Sequence, residues 1–316
     1  MTDSARSPGA GRDDAPEGGV TSTAPSAAAA ADVTLLARRE RVWALSALVL
    51  LVVLFAPILE IRGRQYWDDP RYSHCLLLPV VSGLWVWDRW ERLCATPTAP
   101  SRGGVVAFAV AVLAFLYGRA LGANFAQHLA LLLALPALVA AVLGTRWLRA
   151  LAFPLGYLLL TIPLPRTWDE RLTQPLQRTA AVIAEGSFDA FGWAVVRQGN
   201  VIQLPGLKLL VEEQCSGAHS LYALGALGVA WVAFVPRPAW LRVVLVVSTV
   251  PIALLANAVR VTATGVLAYK VDPSYATGVS HQTAGMIVFV IGLALFLLTD
   301  WCLRPDDVRG AAHADG

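Results

Sequence analysis

Charge is scarce in this chain. Aspartate, glutamate, lysine and arginine make up 15% of its 316 residues, against about 25% in soluble domains. With 56% hydrophobic residues and a mean hydropathy of +0.57, that deficit excludes an ordinary soluble globular domain. A basic block is also missing. The net charge is only +3, and beyond the N-terminal tail the arginines fall in short loops between apolar runs. Nucleic acid is therefore not an expected partner. Cysteine is sparse as well. Cys75, Cys94, Cys215 and Cys302 form no CxxC pair and have no zinc-like spacing to histidine, so no metal and no cofactor is expected. No internal repeat is visible.

What is present is a series of apolar runs. Residues 1–32 are rich in Ala, Gly, Ser, Pro and Asp without a hydrophobic period, which predicts a disordered cytoplasmic tail. The first apolar run, Trp43 to Leu59, follows Arg38, Arg39 and Arg41. No small-residue cleavage site follows it, so it reads as a retained signal anchor. Spans of roughly the ~20 residues that a bilayer needs are expected near 43–60, 75–88, 104–121, 127–143, 149–164, 216–235, 241–266 and 284–302. Pro251 is expected to kink the seventh. The predicted fold is an all-α polytopic bundle of about eight spans, filling residues 33–303, with a short cytoplasmic tail at 304–316.

Arginine placement orients the bundle. Arg38, Arg39 and Arg41 precede the first span. Arg89, Arg92 and Arg102 follow the second, Arg146 and Arg149 the fourth, Arg237 and Arg242 the sixth, and Arg304 and Arg309 the last. Every second loop is basic, which places those loops and both termini in the cytoplasm. The intervening loops then face outward, and membrane lipid surrounds the bundle.

One outward segment, 165–215, has structure of its own. Leu172, Leu176 and Ile183 recur at helical spacing among charged residues, which predicts an amphipathic helix at the outer membrane surface. Pro205-Gly206 between two apolar runs predicts a type II turn and a small β-hairpin. The hairpin leads to Cys215.

Three reactive residues fall on the same predicted face. Cys215 stands at the mouth of the sixth span, Arg260 toward the outer end of the seventh, and His281 at the entrance of the eighth. A nucleophile, a base and a cation on one face are what acyl transfer through a thioester needs. Cys215 attacks as the thiolate. His281 exchanges the proton. Arg260 carries a permanent charge on a rigid donor fork, suited to an oxyanion or a carboxylate. Asn257, three residues earlier on the same helix face, orients Arg260 or adds a donor. Gly217, beside Ser216, permits close approach of a substrate backbone. His74, in Tyr72-Ser73-His74-Cys75, is a fourth candidate, and His219 ranks below His281. The bland reading of each is a buried small residue, a snorkelling arginine and an interfacial histidine.

The motifs Cys215-Ser216-Gly217, Asn257-Ala258-Val259-Arg260 and the later His281 resemble the signature of the exosortase/archaeosortase family. Tyr72-Ser73-His74 followed by Pro79, and Pro163-Leu164-Pro165, are similar to its secondary motifs. The resemblance covers roughly residues 43 to 302. It implies a cysteine transpeptidase or protease of the bacterial inner membrane, with its site facing the periplasm. Its expected partners are exported proteins that carry a C-terminal sorting signal of the PEP-CTERM kind. Cys215 would form the acyl-enzyme, which then passes to an amine or to water. Two other readings compete. One is a protease that only hydrolyses. The other is a membrane transporter or polysaccharide-export component without covalent chemistry, which predicts ionisable groups near the midplane and repeated halves.

Overall fold

The computed structural model describes residues 27–211, 217–276 and 279–304, with side chains from residue 46 onward except at 276, 279–282 and 284. Most of the expected tail 1–32, and nearly all of 304–316, lies outside the described residues. The chain divides into two units, 1–51 and 52–316. The described part of the first is the start of helix α1, Ala27–Asp68.

The second unit is mostly helical. After the rest of α1 come α2 (Leu77–Asp88), α3 (Trp90–Cys94), α4 (Arg102–Ala120), α5 (Asn124–Val142), α6 (Thr145–Ala150), α7 (Ala152–Tyr157) and α8 (Arg166–Ala190). Three short strands follow, β1 (Val196–Gln198), β2 (Val201–Leu204) and β3 (Leu207–Leu210). The remaining helices are α9 (Ala218–Phe234), α10 (Ala239–Lys270) and α11 (Val279–Cys302).

Five segments are long and apolar enough to cross a membrane: Ser46–Asp68, Arg102–Ala120, Asn124–Val142, Ala239–Lys270 and Gly285–Cys302. Their outward faces carry exposed apolar side chains such as Val53, Leu113, Val259 and Val290, far more than water tolerates on a monomer. Three of the eight expected spans come out shorter. The 12 residues of α2 rise about 18 Å, against a hydrocarbon core of about 30 Å. The run at 149–164 breaks at Leu151, where φ is −95° and ψ is 10°. It then narrows into a 3₁₀ turn at Leu158–Thr161 ahead of Pro163. The 17 residues of α9 lie between left-handed Gly217 and the Pro236/Pro238 pair. Conversely, α10 continues through Pro251 without a break.

The Pro205-Gly206 turn forms as expected, with φ +77° at Gly206. It pairs Leu204 with Leu207 and Ile202 with Leu209, antiparallel. The hairpin gains a third strand that the sequence reading did not anticipate. β1 pairs with β2 around Gly199-Asn200, matching Gln198 to Val201.

α8 is amphipathic, with Arg171, Gln174 and Arg178 on its exposed side and a buried face that mixes apolar and polar residues. Asp169, Thr173, Gln177, Ala181, Ala184 and Phe188 are buried, whereas Leu172 and Ile183 are exposed. Polar ties hold the inward face. Asn200 donates to Gln177 at 2.8 Å, and Arg197 pairs with Glu185 at 2.6 Å. Phe188, Ala181, Ile202, Leu209 and Val261 share one core, which clamps the C-terminal half of α10 between α8 and the sheet.

α9, α10 and α11 form an antiparallel trio. A Cβ on Gly228 of α9 would meet Thr249 of α10 at 2.9 Å, so the two helices touch closely. Leu224, Leu241, Leu245, Ile252 and Phe296 fill the space between the three. At the far end of α11, Asp300 is fully buried. It accepts two 3.0 Å hydrogen bonds from Arg237 in the α9–α10 loop. Arg304 adds a third contact at 3.4 Å.

Candidate functional site

The antiparallel trio brings the start of α9, the later half of α10 and the start of α11 to one end. Two glycines make that meeting tight. Gly217 caps α9 with φ +79°, a left-handed conformation that costs other residues roughly 1–2 kcal/mol. A Cβ there would lie 2.8 Å from Cβ and Cγ of Asn257. Asn257 is 1% exposed. One turn further along α10, Arg260 is 8% exposed. A Cβ on Gly285 of α11 would lie 3.3 Å from its Nη1. The guanidinium therefore rests against the Gly285 backbone.

Cys215 and Ser216 lie outside the described residues, as does the side chain of His281. Their neighbours are described. Gly217, two residues after Cys215, packs on Asn257. Position 281 of α11 lies one turn before Gly285 and shares its face. Thus the elements carrying the expected nucleophile, cation and base are drawn together through Gly217, Asn257, Arg260 and Gly285.

Beside this junction runs a narrow cleft. It is lined by Arg71 and Tyr72 from the α1–α2 connection, Asp169 and Thr173 from α8, and Ala218, His219 and Tyr222 from α9. Asp169 is buried, and its Oδ1 accepts a 2.9 Å hydrogen bond from the Tyr222 hydroxyl. Arg71 forks onto Asp69, with Nε 3.0 Å and Nη2 2.8 Å from Oδ2. Burial pushes the Asp69 carboxyl up, but the Arg71 hydrogen bonds outweigh it and hold the group below its ordinary range. Burial, with Asp169 nearby, raises the Tyr72 phenol. His74 does not line the cleft. Its Nε2 lies 3.7 Å from Sγ of Cys75, and burial lowers the imidazole.

Sequence reading missed Asp169, Tyr222 and Arg71. The i, i+4, i+8 spacing of Asp169, Thr173 and Gln177 marks one face of α8. That face looked like the side that solvent would cover, and it is the side that packs inward. His128 also gains a partner. The Thr161 hydroxyl donates a hydrogen bond to Leu158 O at 2.6 Å and sits 3.3 Å from His128 Nε2, so the ring donates there. No group of three or more metal-ligating side chains occurs among the described residues.

Residues 66–298 match the family model described as transmembrane exosortase. No curated protein and no solved structure matches the chain.

Proposed function

The chain belongs to the transmembrane exosortase family, and on that premise we propose that it is a cysteine transpeptidase of the bacterial inner membrane. Its site opens to the periplasm, and its substrates are exported proteins with a C-terminal sorting signal of the PEP-CTERM kind. The Cys215 thiolate attacks a peptide carbonyl near that signal. The C–S bond forms, the C–N bond breaks, and His281 passes a proton to the departing amine. Arg260 faces the oxyanion or fixes a substrate carboxylate. The thioester then passes to an amine or to water. Arginines in every second loop, all on one side of the expected spans, support the orientation.

The observation that carries this reading is the paired approach of Gly217 to Asn257 and of Gly285 to Arg260. A cation buried against a glycine, one turn from a histidine position and beside the nucleophile's segment, is arranged for charge stabilisation rather than for helix packing alone. A transporter would place its polar groups nearer the middle of the spans.

The test is to trap the acyl-enzyme. Wild-type protein in membranes, mixed with a substrate carrying its sorting signal, should yield a peptide joined to Cys215 as a hydroxylamine-sensitive thioester, seen by mass spectrometry. Cys215→Ala should insert normally and process nothing. Full processing by that variant would sink the covalent mechanism.

A further inference from the structure

The proposed reaction needs its peptide held in one register while the thiolate reaches a carbonyl. The last strand of the sheet has the backbone groups to hold it. Val211 donates to Asn200 O at 2.9 Å, and Leu209 faces Ile202 in the same register. Hydrogen-bonded pairs alternate along an antiparallel ladder, so Leu207, Leu209 and Val211 turn their backbone groups toward β2. The N–H and C=O of Lys208 and Leu210 point the other way, and no group among the described residues bonds to them. Both side chains are exposed, that of Leu210 by 59%. The opposite edge is covered, because β1 lies against α8 through the Arg197–Glu185 pair.

The open edge runs toward the candidate site. A Cβ on Gly265 of α10 would lie 3.0 Å from Cδ1 of Leu209, so β3 packs on α10 about 7.5 Å along the helix from Arg260. Val211 shares a core with Val261, the residue after Arg260. Cys215 follows Val211 by four residues, a chain reach of at most about 14 Å.

We propose that the β3 edge is the substrate subsite, and that the segment of the exported protein carrying the cleaved bond docks there as a fourth strand. The inference rests on the acyl-enzyme reading above. The peptide main chain exchanges hydrogen bonds with Lys208 and Leu210, so affinity comes from backbone groups that every extended peptide offers. Side chains supply the choice. Lys208 and Leu210 stand two residues apart on one face of the sheet. They favour an acidic residue beside the first and an apolar one beside the second. The pairing fixes the register, and with it which carbonyl is presented to Cys215. A second copy of this chain is a poorer occupant, because lysine on an edge disfavours edge-to-edge pairing.

The probe is a synthetic peptide of the PEP-CTERM kind, with a short motif, an apolar helix and a basic cluster, added to the full-length protein in detergent. Its thioester at Cys215 is quantified by mass spectrometry. Copies are N-methylated at one residue at a time through the segment before the apolar helix. Methylation at every second residue should raise the half-saturating concentration about tenfold, through a lost backbone hydrogen bond and a strand held off the edge. Methylation at the residues between should change it little. Lys208→Pro removes an outward N–H and spares the β2–β3 ladder, so it should raise that concentration by a similar factor with the melting temperature kept. Lys208→Glu should reverse the preference between peptides with glutamate and with lysine at the residue paired to position 208. A methylation profile without alternation overturns the subsite, whether or not Lys208→Pro folds, and so does a folded Lys208→Pro with unchanged saturation. A Lys208→Cys variant that forms dimers disulfide-linked at that position without peptide assigns the edge to a second copy and overturns it too. Absence of any thioester with the unmethylated peptide overturns the acyl-enzyme reading itself, and the subsite falls with it.

Discussion

Gly217→Ala tests the site's geometry through stability as well as activity. Two separate costs act at this position. The left-handed backbone, φ +79°, penalises a residue with a Cβ by roughly 1–2 kcal/mol. The new methyl would also lie 2.8 Å from both Cβ and Cγ of Asn257 and 3.1 Å from its Nδ2, and such overpacking costs typically about 1–3 kcal/mol. The sum is about 2–5 kcal/mol, a lowering of the folded population relative to the unfolded by 30-fold or more. Thermal unfolding in detergent reads it directly, and processing should fall in parallel because the chain leading out of Cys215 is displaced. The two costs separate in a double-mutant cycle with Asn257→Gly, which clears the contact and leaves the backbone strain. The pair should show about 1–3 kcal/mol of favourable coupling. An alanine variant with unchanged melting and activity, or a cycle without coupling, would refute the close approach of α9 to α10.

Gly285→Ala should be nearly silent, because the 3.3 Å contact is with the flexible end of Arg260, whereas Gly285→Leu should displace the guanidinium and cut processing at least tenfold with little loss of folded protein. Asp300→Asn should destabilise by about 3–5 kcal/mol, the usual effect of stripping one partner from a buried pair, seen as a lowered melting temperature. The double variant Asp300→Leu/Arg237→Met should recover most of it, and no recovery would mean that the pair does more than neutralise itself. His74 yields a pH prediction. Burial holds its folded pKa below the ordinary 6.5, so the unfolded chain binds the proton more readily. Stability is then complete above about pH 6.5 and declines as pH falls toward the folded value. His74→Gln should flatten that acid-side decline in a melting series.

The parts of the fold legible in the sequence are those with a strong local signal. Five apolar runs of full length became helices, and Pro205-Gly206 announced its own turn. The shortfalls have local causes that a hydropathy window averages away. Leu151 ends one helix and starts the next, and α9 is held to 17 residues by Gly217 and two prolines. β1 escaped notice because three residues are too few to show alternation. Burial on α8 went unread because Asp169 and Gln177 turn in to partners far away in sequence, Tyr222 and Asn200. Arginine placement and motif order put the segments of the candidate site at one end of the expected spans. The approaches of Gly217 to Asn257 and of Gly285 to Arg260, and the Arg237–Asp300 pair 63 residues apart, have no sequence-local signature.

That ion pair has a consequence for the other end of its helix. An α-helix turns by about 100° and advances about 1.5 Å per residue. Asp300 therefore fixes the azimuth of α11 as well as its depth. If α11 slipped by one residue at the Arg237 end, position 281 would swing by more than a quarter of a turn and leave the side on which Gly285 receives Arg260. The phase of α11 at position 281 is set from the helix's opposite end by the Asp300 carboxylate. Variation around Asp300 should thus change the rate of chemistry before it changes what the protein binds.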